Sequence, residues 1–122
     1  MPEEATEIAD KQEVYYRRFN KRLRDHLKTL ITAELIEEHR RKPLGQHSDS
    51  LGRVLNFFRR GEMPDKYAIL REGAMTNCTY RVMAFSGVAG EPPRVVDDKH
   101  YKSLDEAYHA VFLLRVNDLL ES

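Results

Sequence analysis

The residues of this chain that could do chemistry are five histidines, one cysteine and a small carboxylate cluster. They are His26, His39, His47, His100 and His109, Cys78, and Glu34, Glu37 and Glu38. A helix-borne metal site needs imidazoles three or four residues apart on one face, and no two of these histidines make a His-x-x-x-His spacing. No metal site is therefore expected within the chain. His26 lies at the edge of an apolar stripe and reads as a partly buried packing residue, while His109 reads as a contact or an exposed position. A nucleophilic cysteine needs a neighbouring base and a lowered pKa. Cys78 stands where a turn meets a strand, with no Cys-His signature, and reads as a structural thiol. The chain has no Gly-x-Ser-x-Gly and no phosphate-cradling glycine loop. Glu34, Glu37 and Glu38 precede Arg40, Arg41 and Lys42, so i, i+3 and i, i+4 ion pairs account for them. The tyrosines Tyr15, Tyr16, Tyr67, Tyr80, Tyr101 and Tyr108 read as core and interface side chains. These residues favour a binding or structural role over a self-sufficient enzyme.

The elements that must position these side chains are legible from periodicity. Residues 11–39 have a helical pattern, with Tyr16, Phe19, Leu23, Leu27 and Leu30 on one stripe and Arg17, Arg18, Lys21, Arg24 and Lys28 opposite. The phase changes after Thr32, so the helix either restarts near residues 29–32 or changes its packing partner there. Bases followed by Pro43 and Gly45 end it. A second helix is expected over residues 50–60, with Leu51, Val54, Leu55 and Phe58 on one face, Phe57 off it, and Gly61 as a C-cap. Residues 66–71 and 79–85 alternate as strands, with Gly73 and Asn77 marking the turn, and residues 94–97 add a short third strand. Ser103-Leu104-Asp105-Glu106 is a capping box that opens a helix running to about Leu120. That helix is apolar on two sides. Leu104, Ala107, Tyr108, Val111 and Phe112 form one face, and Ala110, Leu113, Val116 and Leu120 the other. The first face is expected to meet the sheet and the second another subunit. The predicted fold class is α+β: N-terminal helices, a small antiparallel sheet of two or three strands, and a C-terminal helix packed on it.

Size and composition bound the function. The 122 residues suit one domain, read as 11–122 behind a disordered acidic tail over residues 1–10. Mean hydropathy is −0.63 and no apolar run approaches the ~18 residues of a membrane span. The acidic N-terminus lacks a secretory signal pattern, and a lone cysteine fits a reducing cytoplasm. Net charge is zero, which argues against a nucleic-acid partner, although residues 11–42 hold ten bases against five acids. Arg17, Lys21 and Arg24 on that basic face are expected to contact protein.

Several stretches together resemble the small (alpha) subunit of N,N-dimethylformamidase. They are Glu37-Glu38-His39 with Pro43-Leu44-Gly45, then Leu55-Asn56-Phe57-Phe58-Arg59, Lys66-Tyr67 and Tyr80-Arg81. The most specific is Glu106-Ala107-Tyr108-His109-Ala110-Val111-Phe112-Leu113 with Arg115. The resemblance implies a non-catalytic subunit that packs on and stabilises a large catalytic one, in a hetero-oligomer with two or more copies of each chain. It implies an amidohydrolase that converts N,N-dimethylformamide to dimethylamine and formate. It places a mononuclear iron, and every catalytic residue, in the large subunit, with no cofactor in this chain. The alternative reading is a small nucleic-acid-binding or regulatory interaction module.

Overall fold

The computed structural model describes the backbone of residues 2–60, 66–74, 76–86 and 88–122, with side chains from residue 11 onward, Glu13 excepted. Gly61, expected as a C-cap, lies outside the described residues, as do the side chains of the acidic segment 1–10. The elements are α1 (Pro2–Leu30), α2 (Ala33–Arg41), α3 (Asp49–Arg60), β1 (Lys66–Ala74), β2 (Asn77–Phe85), β3 (Arg94–Val95) and α4 (Leu104–Glu121). The α+β class and the C-terminal helix packed on a three-stranded antiparallel sheet are as the pattern predicts.

The phase change after Thr32 is a true restart. Thr32 adopts an extended backbone and its hydroxyl accepts from the Leu35 N–H at 3.1 Å, which caps α2 afresh. Ser48 begins α3: its hydroxyl accepts from Leu51 N–H at 3.3 Å and its carbonyl from Gly52 N–H at 2.8 Å. Glu38 holds that cap in place, accepting from the Ser48 N–H at 2.7 Å and hydroxyl at 2.6 Å. Glu38 thus ties α2 to α3 rather than pairing with the bases that follow it. Glu37 makes the expected local pairs, bidentate to Arg40 and 3.9 Å from Arg41.

The strands are ordered β1-β2-β3. The β1–β2 ladder runs from Lys66↔Phe85 to Ala74↔Asn77, so both strands are longer than the alternation suggests. Gly73 and Asn77 belong to the ladder and flank the turn rather than forming it. Gly73 has φ +97°, and a Cβ there would sit 2.8 Å from the Asn77 carbonyl oxygen, so only glycine fits without strain. β3 stops at Val95, two residues short of expectation, and beyond it the Tyr80 and Tyr101 backbones exchange two 2.8 Å hydrogen bonds.

The core lies among the helices. Leu27 of α1, Leu35 of α2, Leu51, Val54, Phe57 and Phe58 of α3, and Phe112, Val116 and Leu119 of α4 form one buried cluster. Phe57, which the helical wheel places off the apolar face, is buried because α1 covers that side of α3. On its other side α4 meets β1 and β2, where Ala107, Val82 and Ala84 are buried. α4 thus meets the sheet on one side and the N-terminal helices on another, while Leu113 and Leu120 of its expected second face stay exposed. Among the described residues no helix is long and apolar enough to cross a membrane.

Candidate functional site

His39 of α2, Phe58 of α3, and His109 and Phe112 of α4, all within the stretches that resemble a known family, come together where these helices meet. His39, two turns from the N-cap of α2, is 3% exposed and stacks on Phe112 with ring centres 4.0 Å apart. Phe58 meets the same Phe112 edge-on at 6.0 Å. The Nδ1 of His39 lies 2.9 Å from the Nδ1 of His109 on α4. His47, in the loop before α3, stacks more loosely at 6.3 Å, and its Nε2 sits 2.6 Å from the Lys42 carbonyl oxygen. Burial, followed by the charges of His109 and His47, pushes His39 down to about 4. Burial also lowers His109, helped by Arg40 and opposed by Glu37. The pair is thus kept neutral, with one ring donating and the other accepting.

His109 also lines an open groove of about 600 Å³ beside α4, with Val82, Tyr101, Ala110, Leu113 and Leu114 supplying apolar surface. Glu106 and His109, three residues apart, make a Glu-x-x-His spacing of the kind that can form a ligand pair. They do not converge: Glu106 accepts from the Lys102 N–H at 3.2 Å while His109 turns to His39. Two nitrogens 2.9 Å apart share a proton, whereas a zinc-like ion needs ~2.0–2.1 Å to each ligand at an open angle. Among the described residues no group of three or more His, Cys, Asp or Glu could hold a metal ion. An iron centre does not fit the residues described here. What the histidine arrangement does is fasten α2 to α4.

The side chains singled out from sequence are spread over the molecule. Arg17 and Lys21 are exposed on α1, and Arg24 is half-buried, its Nε lacking a hydrogen-bond partner. The structure divides the Ala110–Leu113–Val116–Leu120 stripe. Val116 is 4% exposed in the helical core, Leu113 and Leu120 are open at 42% and 49%, and Ala110 is half-buried at the groove. Val116 turns inward because it follows Phe112 by four residues and precedes Leu119 by three, on the side that α1–α3 cover. His26, expected to be partly buried, is exposed at the edge of a second groove, between α1 and α3. Cys78 is half-buried with its Sγ 3.7 Å from the Tyr80 hydroxyl, in a structural setting. The site residue that reasoning from sequence missed is His39, because its partner lies on another helix.

Fold and site define a small α+β chain with a helical layer and a sheet clasping one C-terminal helix, the histidine pair serving as a tie between elements. The family model of the N,N-dimethylformamidase alpha subunit matches residues 14–122. The chain is 33% identical over 115 residues to the N,N-dimethylformamidase alpha subunit of Paracoccus aminophilus, an alignment covering 90% of this chain and 79% of that one. Identity to the protein of the same name from an Alcaligenes species is also 33% over 115 residues, covering 90% and 84%. The chain belongs to the N,N-dimethylformamidase alpha subunit family.

Proposed function

We propose that this chain is the small, non-catalytic subunit of a dimethylformamidase-type amidohydrolase. It packs on and stabilises a large subunit that hydrolyses N,N-dimethylformamide. In that reaction water adds to the formyl carbon, the C–N bond breaks, and the nitrogen takes up a proton to leave as dimethylamine beside formate. The observation that carries this reading is the family match across residues 14–122. The placement of the polar side chains supports it, because His39 and Glu38 are engaged in tying helices together and Glu37 is paired with Arg40 within α2. The mononuclear iron belongs to the large subunit in this proposal. We assign the complex two or more copies of each chain and a cytoplasmic setting, in keeping with the free thiol of Cys78.

The test is to purify this chain alone, the large chain alone and the two co-expressed, and to measure formate release and metal content. Hydrolysis and iron are expected only where the large chain is present, and the large chain should lose solubility or melt earlier without its partner. Turnover by the lone small chain, or a large chain equally stable and active alone, would overturn the proposal. A nucleic-acid-binding role is favoured by the basic residues of α1. Salt-sensitive DNA or RNA retention by the purified chain would support that reading instead.

A further inference from the structure

The first half of α1 carries large apolar side chains that nothing among the described residues covers. Val14, Tyr15, Tyr16 and Phe19 are 46%, 73%, 56% and 64% exposed. The same stripe becomes buried only further along, where Leu23 packs on the core edge and Leu27 enters it. Scattered exposed apolar residues are ordinary, but a contiguous aromatic patch on a soluble chain marks a contact surface. This one leads into a groove of about 510 Å³ between α1 and α3. Tyr16 and Phe19 line one side, Arg53 and Arg60 the other, with the buried Leu27 and Phe57 beneath. Asn20 and Asn56 add amide donors and acceptors. Exposed Tyr, Phe and Arg around an apolar pocket is the composition found at the energetic centres of protein interfaces.

Charge selects the occupant. Residues 11–30 and α3 together carry ten Lys and Arg against three acids, and among the described residues no acid lines the groove. A second copy of this chain paired symmetrically through this face would bring an equally basic surface to the same place and be repelled. A flat lipid surface would reach the aromatic rim but not the buried lining between two helices. We infer that the α1–α3 groove and the Tyr15–Phe19 patch are where the large subunit docks, through an acidic segment that inserts an apolar or aromatic side chain. This rests on the subunit reading above and adds to it the surface and the chemistry of the partner.

The experiment uses the full chain co-expressed with a tagged large chain from the same genome. Tyr15→Ala, Tyr16→Ala and Phe19→Ala are combined in one variant, and Arg53→Glu and Arg60→Glu in a second. The aromatic variant should weaken association at least a hundredfold, while its thermal melting as a purified chain stays that of the wild type. The charge-reversal variant, on a different helix, should weaken it at least tenfold. Wild-type association should also fall as sodium chloride is raised. Wild-type assembly by both variants would overturn the inference while leaving the subunit reading intact. It would also be overturned if the aromatic variant lost binding to duplex DNA, to phosphatidylserine vesicles or to a second copy that the wild type had shown. Failure of the wild-type chain to join the large chain at all would instead bring down the subunit reading.

Discussion

The Nδ1 atoms of His39 and His109 stand 2.9 Å apart although the residues are seventy positions apart in the chain. At that distance one imidazole donates and the other accepts, so the contact requires that the accepting ring be neutral. It joins α2 to α4 on the edge of the aromatic stack His39–Phe112–Phe58. A proton added to the accepting Nδ1 would replace the hydrogen bond with two donors facing each other.

Stability should therefore fall in mild acid. His39 titrates near 4 in the folded chain, against 6.5 ordinarily. Between those values the unfolded chain holds the proton and the folded chain does not, so unfolding becomes easier as pH falls from 6.5 towards 4. The full shift corresponds to about 3 kcal/mol at most. His109, also lowered by burial, acts in the same direction. Urea melts at stepped pH check this. The slope should shrink in His39→Gln, and an equal pH dependence in the two proteins would sink the idea.

The start of α4 should be sensitive to a single hydroxyl. Ser103 Oγ accepts from the Glu106 N–H at 3.2 Å. The other arm of the box differs from expectation: Glu106 reaches the Lys102 N–H at 3.2 Å, one residue further back than the Ser103 N–H. Ser103→Ala should cost about 0.5–2 kcal/mol, read from the denaturation midpoint. An unchanged midpoint would show that the cap contributes nothing.

Two leucines on α4 should behave oppositely. Leu119 is fully buried in the helical core and Leu113 is 42% exposed. Leu119→Ala should cost about 2–5 kcal/mol in the isolated chain. Leu113→Ala should stay within about 0.5 kcal/mol. Equal losses by thermal melting would contradict the orientation of α4 described here.

The sheet is held to α4 by a polar contact as well as by packing. The Tyr67 hydroxyl donates to Asp118 Oδ2 at 2.6 Å. Tyr67→Phe should cost about 1–2 kcal/mol while keeping the ring in place. A variant as stable as the wild type would show that the bond makes no net contribution.

Local order was readable from the sequence alone. The phase break after Thr32, the helix over residues 50–60, the strand pair and the Ser103 cap each depend on residues within one or two turns of one another. A side-chain oxygen three residues before an N–H, or alternation along a strand, is a short-range signal that survives any later packing. The family resemblance was legible for the same reason, since its motifs are short and ordered along the chain. Tertiary structure decided which apolar side faces which neighbour. A helix apolar on two sides offers both to any partner. The placement of α1–α3 alone turned Phe112, Val116 and Leu119 inward and left Leu113 and Leu120 open. Phe57 became core, and Tyr16 and Phe19 became surface, because α3 covers α1 only beyond its midpoint. His39 and His109 carry no shared spacing, and their hydrogen bond exists because packing brings two distant helices within 2.9 Å.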